Sequence, residues 1–267
     1  MKFSSSFLIV ALGALQAMAA PASGRVSKQA PTVHFCGDST MAKGGSNSGK
    51  TDGWGNYIGD YLTATVSNHA IGGRSARSYW DEGRFQAVAD AVQSGDIVVI
   101  EFGHNDGGSP EKNDNGRSDC PGDGTETCTS SSTGETVYTF VYYVTQAAKL
   151  MTAKGASVIL SSQTPNNQWE TGSFEGGASR FVAYTKTAVT ALNDASVTYV
   201  DHFQAVSNMY EKLGSSAVNA FYPSDHTHTS PDGADAAAKA FVQAIYQSLN
   251  GETSLKSYVK EPVTLVY

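Results

Sequence analysis

Residues 96–106 have the sequence DIVVIEFGHND, and this stretch decides the fold. The apolar run Asp96–Phe102 lacks the alternation of a half-buried strand, which indicates a strand covered on both faces, as in a parallel sheet. A polar block, Gly103–Asp106, follows it directly. Four other short apolar runs predict further strands of the same kind: Thr32–Cys36, Ala64–Asn68, Ser157–Ser161 and Val197–Val200.

Segments with helical spacing lie between or after these runs. Strands that alternate with helices predict parallel βαβ units in an α/β three-layer sandwich with a sheet of about five strands. We find no internal repeat or linker, and we interpret the Gly/Ser/Asp-rich stretch Gly107–Thr136 as a long surface loop of a single domain, residues 20–267. Three sets of apolar residues define the predicted helical faces: Phe140, Val144, Ala147 and Met151; Phe181, Val189 and Leu192; Ala234, Ala238, Phe241, Ile245 and Leu249.

The N-terminus has the pattern of a secretory signal peptide. Lys2 precedes the apolar run Phe7–Leu15, and Ala17-Met18-Ala19 gives the small-x-small pattern of a cleavage site after Ala19. A buried N-terminal helix is the alternative. No later run reaches about 18 apolar residues, so we expect residues 1–19 to be removed and the mature chain to be secreted, with no membrane partner.

Composition excludes several functional classes. The 267 residues carry a formal net charge of −7, which argues against a nucleic-acid partner because such proteins show a basic excess. Charged residues make up only 16% of the chain, well below the usual value of roughly 25%. The 40% apolar content is too high for a disordered chain.

Three cysteines are present in a chain predicted to be secreted, where disulfides persist. Cys120 and Cys128 bracket a turn-rich segment, and a disulfide between them would close a short loop. Cys36 lies in an apolar strand-like run and is expected to be a buried free thiol. Other pairings of the three remain open.

Polar blocks follow the predicted strands. In an open parallel sheet, ligands bind outside the carboxyl ends of the strands, so these blocks are expected to meet at one edge. A fourth block lies just before the last predicted helix. The blocks are Gly37–Thr40, Asn68–Ser75, Gly103–Asp106 and Asp225–His228.

Together these blocks resemble the four sequence blocks of the SGNH (GDSL-type) hydrolases. A finer resemblance is to fungal rhamnogalacturonan acetylesterases, and it extends along essentially the whole mature chain. It implies a flavodoxin-like SGNH hydrolase fold and a serine esterase that acts on acetylated pectic polysaccharide. The stretches that carry it are Gly37–Ala42 (GDSTMA), Gly73–Ser78 (GRSARS), Gly103–Asp106 (GHND), Cys120–Cys128 and Asp225–Ser230 (DHTHTS).

The chemistry of ester cleavage assigns a role to each block. Ser39 is the candidate nucleophile, and His228 is the base that accepts its proton and returns it to the leaving oxygen. Asp225 orients His228 from the same loop. The Ser39 and Gly73 N–H groups and the Asn105 amide are expected to form the oxyanion hole.

Bland alternatives exist for these assignments. Ser39 and Asn105 can be simple turn residues, and His226 competes with His228 as the base. Asp38 precedes the nucleophile, but we expect its carboxylate to accept N–H groups of the loop.

Substrate contacts are less clearly indicated. Arg74 and Arg77 are candidates for binding galacturonate carboxylates, with structural ion pairs to Asp81 or Glu82 as the alternative. A sugar polymer is expected to bind in an open groove with aromatic faces and polar hydrogen-bonding groups. For each aromatic candidate, packing beneath a loop is the alternative. The further candidates are Tyr79, Trp80, Trp169 and His226.

Two motifs suggest chemistry that we do not expect. Gly44–Thr51 fits the P-loop pattern GxxxxGK[ST], but it does not leave a strand directly and Gly53 makes a poor helix start. Asp225, His226 and His228 could suggest a metal site, but their spacing lacks the i, i+4 geometry of a helical ligand pair. We therefore expect neither a metal nor another cofactor.

The sequence as a whole predicts a secreted serine carbohydrate esterase. Its expected partner is acetylated plant cell-wall polysaccharide of the rhamnogalacturonan type, and the chain is expected to act as a monomer. One alternative is an acetylesterase for xylan or other acetylated sugars. Another is a non-catalytic carbohydrate-binding protein, although pure binding would not require Ser39, Asn105, Asp225 and His228 together.

Overall fold

The structure is a computed structural model, and it describes residues 1–3 and 30–267. The predicted signal peptide, residues 1–19, lies outside the described residues except for its first three. In the described part, no helix is both long enough and apolar enough to cross a membrane.

A five-stranded parallel sheet forms the centre, in the order β2-β1-β3-β6-β7. This order places β1 and β3 side by side in the middle, as in flavodoxin-like folds. The five predicted strands are confirmed, each bound agreeing to within one residue. The strands are β1 (Thr32–Gly37), β2 (Thr65–Asn68), β3 (Ile97–Glu101), β4 (Thr127–Thr129), β5 (Thr136–Tyr138), β6 (Ser157–Ser161) and β7 (Val197–Val200).

Successive residues of the central strands are buried on opposite faces of the sheet. Ile97 and Val99 pack into one core, whereas Val98 and Ile100 pack into the other. Because both faces are covered, the strand has no polar side, which explains its unbroken apolar sequence.

Helices cover both faces and complete the three layers. α1, α2, α4 and α5 cover one face, and α6 and α8 cover the other. The helices are α1 (Ala76–Asp81), α2 (Arg84–Ala91), α3 (Pro110–Asn113), α4 (Phe140–Thr152), α5 (Arg180–Leu192), α6 (His202–Leu213), α7 (Ser215–Ala220) and α8 (Pro231–Tyr246).

Two of the three predicted helical faces agree closely with the structure. Phe140, Val144, Ala147 and Met151 are all buried on α4. The predicted face of the last helix is wrong at its end, because α8 stops at Tyr246 and Leu249 is 52% exposed beyond it.

The segment Gly107–Thr136 is more ordered than the surface loop that the sequence predicts. It contains α3, and β4 pairs with β5 as an antiparallel hairpin. The predicted disulfide is confirmed, with Cys120 and Cys128 joined across a Cα–Cα distance of 5.4 Å. The buried core of this segment consists of only three residues among those described, so no apolar pattern in the sequence predicts it. These residues are Cys120, Cys128 and Val137.

Cys36 is a buried free thiol, as expected. Burial raises its pKa to about 12, while a hydrogen bond with Tyr79 acts in the opposite direction. Because the thiolate is the reactive form, Cys36 has a structural role on the face of β1.

A buried carboxylate lies at the carboxyl end of the central strand β3. Glu101 is 2% exposed and accepts hydrogen bonds from Trp54 Nε1 at 2.9 Å and Ser161 Oγ at 2.6 Å. His202 Nδ1 lies 2.9 Å from the same carboxylate, and its Nε2 lies 2.9 Å from the carbonyl oxygen of Ala237. One side chain thereby connects the sheet to α6 and, through His202, to α8.

Replacing Glu101 should lower the free energy of unfolding. Glu101→Ala leaves the buried Trp54, Ser161 and His202 groups without their shared acceptor, and we expect a loss of about 3–5 kcal/mol in the free energy of unfolding. Urea denaturation followed by circular dichroism measures this value. Glu111→Ala, an exposed change on α3, should stay within about 0.5 kcal/mol of the unmodified protein. A loss below about 1 kcal/mol for Glu101→Ala would contradict the role given to this carboxylate.

Candidate active site

Ser39 lies in the tight turn that follows β1. The carbonyl oxygen of Asp38 accepts from the N–H of Ala42 at 2.9 Å, which closes one helical turn. The Asp38 carboxylate accepts from the N–H and the hydroxyl of Thr40, at 2.9 and 2.8 Å. Asp38 is 1% exposed, so its carboxylate shapes the turn, and the Ser39 side chain is the one that faces His228.

The structure brings Ser39, His228 and Asp225 into one hydrogen-bonded chain. Ser39 Oγ lies 2.8 Å from His228 Nε2, and His228 Nδ1 lies 2.9 Å from Asp225 Oδ2. A carboxylate can only accept, so Nδ1 carries the proton and Nε2 accepts from the serine hydroxyl. This is the arrangement that makes a serine nucleophilic. The 189 residues between Ser39 and His228 are bridged by the fold alone.

Asp225 also holds the loop that carries His228. Its second oxygen accepts from the N–H groups of Thr227 at 2.7 Å and His228 at 2.8 Å. Burial acts to raise the pKa of Asp225, but the hydrogen bonds from His228 and Thr227 outweigh it and the pKa is lowered. The acid therefore remains a carboxylate next to the imidazole.

Three groups are candidate oxyanion donors: the N–H groups of Ser39 and Gly73 and the side-chain amide of Asn105. Among the described residues, the N–H groups of Ser39 and Gly73 donate to no acceptor. Gly73 has a φ of +76°, which favours glycine, and open space lies where a Cβ would stand. Asn105 Nδ2 donates to the carbonyl oxygen of Arg74 at 3.1 Å, which leaves its second N–H for a ligand.

Arg117 contacts the same amide and was missed by sequence reasoning. Its Nη1 donates to Asn105 Oδ1 at 3.2 Å, so the amide is held from both ends. Arg117 belongs to the segment that the sequence indicates only as a surface loop, three residues before Cys120. No local pattern marks it, because contacts of the insertion Gly107–Thr136 with distant residues bring it to the site.

A buried pair of carboxyl groups lies behind Asn105. Asp106 Oδ1 accepts from the N–H of Ala76 at 2.7 Å, whereas both oxygens of Asp119 lack a conventional donor among the described residues. Burial raises the pKa of Asp106 to about 7, and burial together with the charge of Asp106 raises that of Asp119 well above its usual range. The pair therefore keeps one proton, which links the GHND block to the insertion Gly107–Thr136.

The predicted arginine contacts are occupied by protein groups. Arg77 is 5% exposed and binds Asp114 through both terminal nitrogens at 2.8 Å, with Asp81 at 3.4 Å. Its guanidinium lowers the pKa of Asp114 well below the usual range. Arg77 is thus a structural cation, and its prediction as a substrate contact is wrong. Arg74 pairs with Glu82 at 3.1 Å and remains one-third exposed.

The aromatic candidates are distributed between core and surface. Tyr79 is 1% exposed and donates to the carbonyl oxygen of His69 at 2.8 Å, so it has no surface for a substrate and that prediction is wrong. Trp80 is half-buried beside Phe85. Trp169 is half-buried and donates to the carbonyl oxygen of Tyr210 at 2.8 Å.

His226 contacts Glu170, whereas Ser39 is paired with His228. Its side chain is 54% exposed and lies 3.5 Å from Glu170, at the wall of a polar cavity of about 380 Å³. The cavity adjoins the Asp225–His228 loop, because the N–H of Asn167 donates to the carbonyl oxygen of His226 at 2.7 Å. In the described part of the chain, no group of three or more His, Cys, Asp or Glu side chains could hold a metal ion.

The segment with the P-loop pattern forms a series of turns. Asp52 Oδ1 accepts from the N–H of Gly44 at 2.7 Å and Thr51 Oγ1 accepts from that of Ser46 at 3.0 Å, which closes the loop on itself. Lys50 is exposed, and a single 3₁₀ turn begins at Trp54 where a P-loop would open an α-helix.

Comparison with known proteins identifies related sequences over most of the chain. The family model for GDSL-like lipase/acylhydrolase matches residues 33–241. A rhamnogalacturonan acetylesterase of Emericella nidulans is 54% identical over 221 residues, which cover 82% of this chain and 86% of that protein. The probable rhamnogalacturonan acetylesterase YesY of Bacillus subtilis is 27% identical over 239 residues, 86% of this chain and 98% of that protein.

Solved structures share the fold. The Bacillus subtilis protein YxiM superposes with a TM-score of 0.64 at 22% identity, and the match covers 82% of this chain but only 57% of that one. The acetylxylan esterase Axe2 of Geobacillus stearothermophilus gives a TM-score of 0.54 at 16% identity, over 81% of this chain and 94% of its own. At these identities the likeness concerns the fold alone.

The buried carboxyl pair predicts a pH-dependent stability. Since the folded-state pKa of both carboxyl groups is raised, their contribution to stability is complete below the unfolded pKa of about 4. It falls as the pH rises towards the folded-state values, of which that of Asp106 is about 7. Asp119→Asn removes one titrating group. The melting temperature of the variant minus that of the unmodified protein should therefore increase by several degrees from pH 5 to pH 8. Thermal unfolding across this range measures the difference.

Asp123→Asn is the matched control, because it makes the same change at an exposed position of the same insertion. Its melting temperature should follow that of the unmodified protein at every pH. Parallel curves for Asp119→Asn and the unmodified protein would contradict the shared proton.

Proposed function

The chain belongs to the GDSL-like lipase/acylhydrolase family and is a carboxylic ester hydrolase, and we propose that it removes acetyl groups from rhamnogalacturonan-type pectin. The observation that carries the proposal is the chain of hydrogen bonds from Ser39 through His228 to Asp225, at 2.8 and 2.9 Å. We propose that the second N–H of the Asn105 amide donates to the negative charge that develops on the carbonyl oxygen.

The first half of the reaction transfers the acetyl group to Ser39. Its Oγ attacks the acetyl carbonyl carbon while His228 Nε2 accepts the hydroxyl proton, and the carbonyl electron pair moves to oxygen. When the tetrahedral intermediate collapses, the bond to the sugar oxygen breaks and His228 returns its proton to that oxygen. The products are the free sugar hydroxyl and an acetylated serine.

The second half regenerates the enzyme with water. His228 accepts a proton from the water as its oxygen attacks the acetyl-serine carbonyl, and then gives that proton to Ser39 Oγ as acetate leaves. Asp225 keeps the imidazole oriented throughout and stabilises its positive charge.

Preorganised donors lower the barrier of both halves. The N–H groups of Ser39 and Gly73 and the free N–H of Asn105 are proposed to bind the oxyanion, and one such donor is worth roughly 10²–10³ in rate. An amide suits position 105 because it donates without adding a charge. The two hydrogen bonds that hold Asn105 fix its direction before the substrate arrives.

The proposed substrate follows from the relatives and from the polar character of the surroundings. The Emericella nidulans relative, 54% identical, is named a rhamnogalacturonan acetylesterase. Amides and carboxylates make up half of the residues that line the cavity beside the Asp225–His228 loop, and such groups suit sugar hydroxyls. Action on a plant cell-wall polymer fits the predicted signal peptide and the Cys120–Cys128 disulfide, so we propose that the protein is secreted.

Removing the nucleophile should abolish hydrolysis. For Ser39→Ala we expect kcat on p-nitrophenyl acetate to fall by at least about 10⁴-fold, because His228 then has no hydroxyl to activate. Circular dichroism checks that the variant is folded. Ser216→Ala, an exposed serine on α7, should keep full activity. Undiminished hydrolysis by Ser39→Ala would overturn the mechanism, and no hydrolysis by the unmodified protein would favour a binding protein.

The substrate is tested by comparing acetylated polymers. We expect acetate to be released from acetylated rhamnogalacturonan at least about tenfold faster than from acetylxylan, a difference of about 1.4 kcal/mol in transition-state binding. Acetate is measured enzymatically over the same range of ester concentrations. Acetylated galacturonan serves as the third substrate. Faster release from xylan would overturn the proposed substrate and leave the mechanism standing.

A further inference from the structure

Arg117 is an exposed cation that lies directly against the candidate oxyanion hole. Its guanidinium contacts Asn105 Oδ1 at 3.2 Å and forms no ion pair with any described residue. A single hydrogen bond to a neutral amide uses one of its five N–H donors. Arg117 is exposed, so its other donors are accessible to a ligand that binds beside Asn105.

The backbone next to Arg117 is held firmly. The side chain of Asn115 accepts from the N–H groups of Arg117 and Ser118, at 2.9 and 3.0 Å. Arg77 donates to the carbonyl oxygen of Ser118 at 2.8 Å. The N–H of Asp119 donates to the carbonyl oxygen of Asp106 at 3.0 Å. The guanidinium is therefore presented from a rigid base, which lowers the entropy lost when it binds a ligand.

The other arginines near Asn105 are engaged differently. Arg77 is buried in its ion pair with Asp114, and Arg74 is paired with Glu82. Arg180 lies beside Gly107 with its guanidinium stacked 4.8 Å from the ring centre of Phe181. Arg117 thus combines exposure, absence of a carboxylate partner among the described residues, and contact with the site.

The charges around Ser39 are divided between two sides. Arg74 and Arg117 contact Asn105, whereas Glu170 and Glu175 line the cavity beside His226. A polyanion meets a chain with a net charge of −7, so it needs a local positive region in order to bind. Among the described residues that contact Asn105, Arg117 offers such a charge.

We propose that Arg117 binds the carboxylate of a uronic acid residue of the polysaccharide while the acetyl ester lies at Ser39. This inference rests on the proposed function and adds the feature of the substrate that is recognised. A planar guanidinium matches a carboxylate with two parallel hydrogen bonds, which a lysine or an amide cannot reproduce. The enzyme would thereby prefer free uronates to their methyl esters.

The test compares two forms of one substrate. Acetylated rhamnogalacturonan oligosaccharides are used with their carboxyl groups free and with the same groups methyl-esterified, and kcat/KM is measured on both forms. We expect the unmodified protein to favour the free acid, and added NaCl to reduce this preference. Arg117→Gln should reduce the ratio of the two kcat/KM values by about tenfold, mainly through KM on the free acid. Arg117→Lys should restore part of it.

The ratio separates carboxylate binding from an effect through Asn105. If Arg117 only orients Asn105, both substrate forms lose rate equally and the ratio does not change, which would overturn the inference. Lys112→Gln removes an exposed positive charge from the same insertion and should leave the ratio unchanged. An equal fall in Lys112→Gln would show a general charge effect and also overturn it.

Failure of the proposed function has a different signature. In that case the unmodified protein would hydrolyse p-nitrophenyl acetate but release no acetate from either oligosaccharide, and the inference would fall with it. If the unmodified protein deacetylates both forms, a ratio that Arg117→Gln leaves unchanged rejects the inference alone.

Discussion

The burial of the Glu101 carboxylate is the constraint on which the rest of the structure depends. A carboxylate buried at the end of the central strand is costly unless donors surround it, and Trp54, Ser161 and His202 provide them from three different segments. Glu101 is paired in register with Gly37, two residues before Ser39. The same contacts that compensate the carboxylate therefore fix the end of β1, from which the nucleophile turn departs.

The loop with Asp225 and His228 is held from two sides. The N–H of Asp52 donates to the carbonyl oxygen of Thr229 at 2.9 Å, and the N–H of Asn167 donates to the carbonyl oxygen of His226 at 2.7 Å. A loop on the surface can thus keep a side chain within hydrogen-bond distance of Ser39 without burying it, since His228 remains 21% exposed. Openness suits a polymer, which must enter and leave without unfolding a lid.

The sequence predicts the parts of the fold that depend on periodicity. Both faces of β1 and β3 are covered, so their apolar runs are unbroken, and the polar blocks at the strand ends meet as parallel topology requires. Arg77 and Tyr79 could not be placed from sequence, because residues of one short helix face either the core or the site depending on its rotation about its axis. Arg117 left no local signal, since hydrogen bonds of the next two residues, Ser118 and Asp119, with Arg77 and Asp106 decide where its loop lies.

The two oxygens of Asp225 serve different purposes, one for the His228 ring and one for the backbone of its own loop. Ser39 Oγ, by contrast, forms its one side-chain hydrogen bond among the described residues with His228. Mutation of the two residues therefore has different structural consequences, because Asp225 also holds its loop and Ser39 does not. A descendant that gave up hydrolysis and kept only sugar binding could lose the serine at no cost to its architecture, but it would retain the aspartate for folding. In such a lineage, a conserved aspartate would not indicate catalysis, whereas a conserved serine would.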